Sequence, residues 1–352
     1  MVDLSSFETP FLAIDLDAFE RNVVRAQSYC DQHGLAFRPH VKTHKQPALA
    51  RKQVEAGAVG ITCQKLGEAE VMADGGLDDV LITYPLLGPA KEERLATLVR
   101  RIRVAVAADS RDAVEVAGRA GRAAGREVGF LVECDGGLGR LGVTDPDAAA
   151  DLAERVVATE GVSWAGLMTY PTSERTRPFM EATRAALARR GLEPPVVSGG
   201  GTPTLYRTHE LDGLTEVRAG EYAFGDRAHV TSGVVSLADV AVCIVATVVG
   251  RPDDDHAILD AGSKTLSSDP CASGDAGFGL VGELPEAVLS ELWEEHARLE
   301  ISRCPRLPVI GDRLTIVPNH VCGAINLHDE VVLHGSGEEA RWASVPARGR
   351  VR

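Results

Sequence analysis

The chain has 352 residues, of which 44% are hydrophobic and 25% charged, and its formal net charge is −14. That length supports a large core arranged as two domains or as one barrel with an appendage. The acidic balance and the lack of any Lys/Arg run exclude a nucleic-acid footprint and a polybasic membrane patch. No apolar run approaches the roughly 20 residues of a spanning helix.

The opening "MVDLSSFETPFLAIDLD" has neither the charge nor the apolar block of a signal peptide. The cysteines, at positions 30, 63, 134, 243, 271, 304 and 322, are odd in number and form no CxxC pair. That usage predicts reduced thiols in a cytoplasmic protein, most of them acting as small buried hydrophobes.

"FLAIDL" is the first predicted strand, and it precedes a helix that starts at Asp17 with Glu20 three residues on, a capping pair. Eight apolar or β-branched runs follow: "FRPHVK", "VGITCQ", "DVLITYP", "RVAVAAD", "EVGFLVEC", "SWAGLMTY", "PVVSGGG" and "TEVRAGEY". Between them lie Ala-, Glu- and Arg-rich segments of helical period, ending with the shorter "TPTLYRTHE". Strands alternating with helices predict a parallel sheet, and eight such strands predict an α/β fold of the (β/α)8 TIM-barrel type over residues 15–230. A doubly wound open sheet is the other arrangement, but no GxGxxG follows the first strand. Beyond residue 230 the pattern changes to strands with few helices, which predicts a mostly antiparallel β-domain over 231–352, with 8–14 able to join it. Within it, "PEAVLSELWEEHARL" reads as a short helix.

Active-site groups of such barrels sit at the C-terminal ends of the strands. The first run predicts Lys42 at a strand end, between His40 and His44. Partial desolvation there favours the neutral, nucleophilic amine, the form that makes Schiff bases with carbonyls and above all with pyridoxal phosphate. A salt-bridged or solvated lysine is the plain alternative. The other runs supply what that cofactor needs. "SGGGTPT" places Ser198, Gly200, Gly201 and Thr202 after the seventh strand, where backbone N–H groups and a helix start favour a phosphate. "RAGEY" adds Gly220 and Tyr222 after the eighth strand. Tyr170 ends the sixth, and "ECDGGLGRLG" brings Arg140 towards the barrel mouth on a glycine loop.

In "PNHVC", His320 and Cys322 are two residues apart, and on a strand they would share a face. An imidazole with a thiolate suits Zn²⁺, with positions left open for water and substrate. A surface histidine beside a buried cysteine is the alternative. Glu294, Glu295 and His296 do not converge if they lie on a helix. His40 and His44 fit packing or lysine-tuning roles, and Asp226 and Asp260 fit turn or hydrogen-bonding roles.

Together "RPHVKTHK", "DGGLGRLG", "SGGGTPT", "EVRAGEY" and "PNHVC", with "ILDAGSKTLSSD" and "WASVPARG", resemble the D-threonine aldolase and D-serine dehydratase family of alanine-racemase-type (fold type III) pyridoxal phosphate enzymes. The resemblance runs from about residue 8 to residue 349. It implies a homodimer acting on a small D-amino acid, with Lys42 as the Schiff-base lysine. It further implies Arg140 beside the cofactor's phenolate, Arg218 facing the pyridine nitrogen, and zinc or manganese at His320 and Cys322. In the dehydratase branch the second metal ligand is such a cysteine, and in several aldolases it is an aspartate. The resemblance therefore implies dehydration of a β-hydroxy-D-amino acid to a 2-oxo acid and ammonia, with retro-aldol cleavage to glycine and an aldehyde as the alternative. A non-catalytic cofactor carrier and a racemase are more distant readings. The sequence departs from many relatives in one place. They carry Gly-His soon after the tyrosine of the sixth strand, whereas "GLMTYPTSERTRP" is followed by no histidine until His209.

Overall fold

After an opening strand, β1 (Phe11–Asp15), and the helix Leu16–Gln32, the short apolar runs become parallel strands separated by helices. These are β2 (Ala36–Phe37), β3 (Ile61–Cys63), β4 (Asp79–Ile82), β5 (Arg103–Ala108), β6 (Val128–Asp135), β7 (Val162–Tyr170), β8 (Val196–Gly199) and β9 (Glu216–Val217). In this computed structural model, which describes residues 3–211 and 213–352, they form one sheet in the order β2-β9-β8-β7-β6-β5-β4-β3. A parallel bridge between His40 and Thr62 joins the two ends of that order and closes the circle. The helices between strands start where the sequence directs. Pro47, Pro89 and Pro146 occupy first-turn positions, where their missing N–H is not needed. Ser110 and Asp145 cap their helices through side-chain oxygens. Leu81, Ala107, Leu131 and Met168 from four adjacent strands pack together as one buried cluster.

The remaining strands are β10 (Val242–Gly250), β11 (His256–Leu259), β12 (Gly279–Val281), β13 (Val288–Leu292), β14 (Ala297–Glu300), β15 (Arg313–Pro318), β16 (Glu330–Gly335) and β17 (Glu338–Ser344). They form a second sheet in the order β13-β14-β11-β10-β1-β16-β17, with β15 pairing β10 and β12. Every pairing is antiparallel except β1 with β16. Phe11, Ala13, Val245 and Val332 make its core, and Trp342 packs edge-on against Phe7 and Phe11. The chain thus forms two units. One comprises Arg25–Lys42, Gln46–Gly220 and Arg350–Arg352; the other takes the chain up to Val24 together with Thr43–Lys45 and Glu221–Gly349.

Three local expectations change. The first barrel strand is only two residues long, and Lys42 lies beyond it in a 3-10 turn, Val41–Thr43. Pairing nevertheless runs on past the strand, with Arg38 N–H donating to the Val217 carbonyl at 2.9 Å and His40 N–H to the Ala219 carbonyl at 2.8 Å. "PEAVLSELWEEHARL" is not a helix but the hairpin β13–β14, whose turn is closed by Trp293 N–H donating to the His296 carbonyl at 2.9 Å. Its β14 half alternates buried and exposed residues and pairs with β11, and that packing overrides the helix-forming composition. Finally, β15 ends at Pro318, so His320 is the N-cap of a short helix, Val321–Ile325, that contains Cys322. Strand alternation does not govern that pair.

Candidate active site

The barrel strands deliver a pocket lined by His40, Lys42, Gln64, Thr83, Glu133, Arg140, Met168, Tyr170 and Arg218. Lys42 is half-buried, and among the described residues no hydrogen bond or ion pair engages its Nζ. His40 is oriented by Gln64, its Nε2 lying 3.1 Å from Gln64 Oε1, while its Nδ1 accepts weakly from Lys42 N–H. His44 instead packs between the rings of Phe19 and Phe224.

Arg218 is buried and fixed, its Nε donating to Ser198 Oγ at 2.9 Å and its NH2 to the Thr169 carbonyl at 2.8 Å. Ser198 Oγ donates in turn to Glu216 Oε1 at 2.6 Å, and Glu216 Oε2 accepts from Arg38, which also pairs with Asp79. Ser198 is therefore part of a charged relay inside the barrel that holds Arg218. Burial opposes the arginine's charge, and Glu216 and Glu133 support it. Glu133 is almost fully buried, and its Oε2 has no hydrogen-bond partner among the described residues. Burial pushes its carboxyl up to about 7, against the pull of Arg218. Arg140 lies exposed with its guanidinium 5.8 Å from the Tyr170 ring centroid.

Gly200 N–H donates to Thr172 Oγ1 at 2.7 Å, which ties the glycine loop after β8 to the segment after Tyr170. Gly201, with φ 158, starts the 3-10 helix Thr202–Glu210, and a Cβ there would come within 3.3 Å of the Tyr170 ring. Backbone brought so close to an aromatic ring is a cradle that only glycine leaves open. Three cationic side chains with this cradle fit an anionic, phosphorylated carbonyl compound such as pyridoxal phosphate. Gly220 directly precedes the 3-10 turn Glu221–Ala223, in which Tyr222 is buried. His209 does not take up the absent Gly-His role: it stacks on His33 at 3.9 Å and meets Tyr29 Oη at 2.7 Å.

The second unit assembles a different set of groups. Glu221, His320 and Cys322 offer a carboxylate oxygen, an imidazole nitrogen and a sulfur within 4.8 Å of one another. His320 Nε2 lies 3.2 Å from Glu221 Oε1, and Cys322 Sγ 3.5 Å from the same oxygen. Thr43 Oγ1 is 3.3 Å from Cys322 Sγ. Behind these donors stand orienting groups: Asp269 Oδ2 is 3.1 Å from His320 Nδ1, and His229, held at 2.6 Å by Asp226, reaches Glu221 Oε2 at 3.5 Å. Cys322 and Glu221 push the His320 imidazole up to about 11. A cluster that stabilises positive charge so strongly, with N, O and S donors backed by carboxylates, fits a divalent cation. Sequence reading missed Glu221. Its one signal was its position between Gly220 and Tyr222, because its partners lie far along the chain.

Comparison with known proteins supplies a lineage. The alanine racemase N-terminal domain matches residues 14–228, and a serine dehydratase domain matches residues 241–334. A D-threonine aldolase from Arthrobacter sp is 33% identical over 98% of this chain and 94% of its own. The crystal structure of D-threonine aldolase from Filomicrobium marinum superposes with a TM-score of 0.90 at 32% identity, covering 100% of this chain and 98% of that one. The D-threo-3-hydroxyaspartate dehydratase of Delftia sp. (strain HT23) is 35% identical over 91% of this chain and 92% of its own. A Cys-to-Ala variant of a D-threo-3-hydroxyaspartate dehydratase, solved in the metal-free form, gives a TM-score of 0.83 at 31% identity over 96% of this chain and 97% of that one.

Proposed function

Because the chain belongs to the D-threonine aldolase and D-serine dehydratase family of alanine-racemase-type pyridoxal phosphate lyases, we propose that it dehydrates and deaminates a β-hydroxy-D-amino acid. The products are a 2-oxo acid and ammonia. The observation that carries this reading is Cys322, which joins His320 and Glu221 in the three-donor cluster. A dehydratase relative was solved metal-free as a Cys-to-Ala variant, in keeping with a cysteine ligand.

In this proposal the barrel, residues 15–230, holds the cofactor and residues 231–352 hold most of the cation's ligands. Pyridoxal phosphate, when bound, supplies an electron-withdrawing ring that stabilises negative charge at Cα. A divalent cation supplies a Lewis acid for the β-oxygen. Lys42 would hold the cofactor, and its Nζ would serve as the acceptor of the Cα proton. Arg140 and Arg218 bind anionic and aromatic parts of the cofactor. Gly200, Gly201, Thr202, Gly220 and Tyr222 serve its phosphate, Ser198 fixes Arg218 in place, and Tyr170 borders the ring. Glu221, His320 and Cys322 hold the cation, for which zinc suits the thiolate better than manganese. Thr43 Oγ1 lies beside Cys322 Sγ in the same cluster. A homodimer and a cytoplasmic location complete the proposal. The seven cysteines are all free thiols, as a reducing compartment requires.

The second reading is retro-aldol cleavage, and Glu221 favours it. Cleavage needs an acceptor for the β-hydroxyl proton, and the Glu221 carboxylate adds an oxygen acceptor to the cluster. The test supplies D-serine, D-threonine and 3-hydroxy-D-aspartate to the enzyme loaded with cofactor and zinc, and quantifies 2-oxo acid, ammonia, glycine and aldehyde together. A 2-oxo acid with equimolar ammonia is expected. Stoichiometric glycine and aldehyde would replace the dehydratase with the aldolase.

A further inference from the structure

Ser267 holds a backbone conformation that its surroundings must enforce. Its φ is 67 and its ψ 169, and it is one of two non-glycine residues with positive φ among the described residues. A side chain resists that region, which lies outside the left-handed helical well and belongs almost wholly to glycine. A helix end does not account for it. Ser267 follows the short helix Ser263–Leu266, and a plain exit of that kind uses glycine in the left-handed well. Strain kept where a glycine would relieve it needs a reason.

The reason stands two residues on. Asp269 Oδ2 lies 3.1 Å from His320 Nδ1, although 44% of the Asp269 side chain is exposed. An exposed ion pair holds little by itself, so solvent alone would let this carboxylate swing away. Its backbone is tied instead. Asp269 N–H donates to Ser267 Oγ at 3.3 Å, and the Asp269 carbonyl accepts from Asn319 Nδ2 at 3.0 Å. Asn319 is buried, donates also to the Gly277 carbonyl at 2.9 Å, and directly precedes His320. The short helix that contains Cys322 closes the other flank. A Cβ added at Gly323 would collide with Asp269 Oδ2 and come within 3.1 Å of Ser267 Oγ. The strained turn, the carboxylate and the glycine thus fit as one unit against the residues that offer the cluster its nitrogen and sulfur.

We infer that Ser267 is a positioning residue for the cation site: its strained turn, with its hydroxyl accepting the Asp269 N–H, aims the Asp269 carboxylate at His320 Nδ1 and so fixes the imidazole with Nε2 towards Glu221. His320 Nε2 lies 3.2 Å from Glu221 Oε1. With Nδ1–H given to Asp269, the lone pair on Nε2 is left for a cation, because the hydrogen bond at one ring nitrogen decides what the other can bind. No covalent step is involved. The inference rests on the metal reading above and adds to it the residue that aims Asp269.

A double-mutant cycle on zinc affinity tests this independently of turnover. Wild type, Ser267→Gly, Asp269→Asn and the double variant, all loaded with cofactor, compete with a chromogenic chelator for zinc. Glycine adopts the observed φ and ψ without strain, and denaturant midpoints check the fold. Ser267→Ala, which keeps the Cβ and drops only the hydroxyl, is the second variant and is put through the same comparison. The expected result is that Ser267→Gly weakens zinc binding about fivefold when Asp269 is present and under about twofold in the Asp269→Asn background, with the absorbance of bound cofactor unchanged. Equal losses in both backgrounds would show that Ser267 does not act through Asp269, and would overturn the proposal. So would unchanged zinc affinity in both the glycine and the alanine variant, whatever happens to the midpoint. Wild type that binds no zinc at all would instead defeat the metal reading, and the proposal with it.

Discussion

The pocket around Lys42 and the cluster around Glu221 are built in opposite ways. The pocket is made mostly from consecutive strand ends of one barrel, each contributing a residue where the chain leaves the sheet: Gln64 after β3, Thr83 after β4, Tyr170 at the end of β7 and Arg218 after β9. Its location follows from topology. The cluster draws Glu221 from a 3-10 turn and His320 and Cys322 from the start of a short helix, and no repeating element sets their spacing. Topology-built sites announce themselves by position. Convergent sites depend on orienting partners such as Asp269 and the Asp226–His229 pair.

The contrast breaks most sharply at Lys42. Replacing it with alanine should lower kcat by about 10⁴-fold, since one group both carries the cofactor and moves the proton. Borohydride reduction of wild type followed by peptide mapping should place the pyridoxyl group on Lys42. Its recovery on Lys45, Lys65 or Lys264 would mean that barrel position is no guide to the reactive amine. At the cluster the losses should be graded. Glu221→Gln and Asp269→Asn should each weaken zinc binding by about 10–100-fold, measured by chelator competition, while the absorbance of bound cofactor stays unchanged. Full zinc affinity in both variants would reduce the cluster to a chance meeting of polar groups.

The same contrast explains how much could be read from sequence. Runs such as "RVAVAAD" and "EVGFLVEC" are apolar on both faces because parallel strands are buried on both, so the barrel was legible. The stretch "PEAVLSELWEEHARL" was misread because Glu, Leu and Ala favour helices, whereas the alternating burial of "ARLE" beside β11 required a strand. Lys42 stood out as the lysine after the first run, although it lies in a 3-10 turn beyond a two-residue strand. His320 and Cys322 stood out by spacing, yet a helix start rather than a strand face sets their geometry. Glu221 carried no local pattern, and Glu133 looked like one more residue of a β-strand. What made each notable is a relation that only folding creates: three donors within reach of one another, or a carboxylate oxygen left without a partner.

Glu133 also allows a smaller prediction about stability. Its folded-state carboxyl lies near 7, above the ordinary 4.5, because burial opposes the charge. A group whose folded value is raised binds its proton more tightly in the native state than in the unfolded chain. Its contribution is therefore fully present below about pH 4.5 and is lost as pH rises through 7. The cofactor-free wild type should lose stability across that window relative to Glu133→Gln, which cannot ionise. The difference at pH 8 should favour the variant by roughly 3 kcal/mol at most, taking about 1.4 kcal/mol per unit. Denaturant midpoints of the two proteins at pH 5 and pH 8 give the comparison. If the two proteins have the same pH dependence, the carboxyl of Glu133 is not held near neutrality by burial.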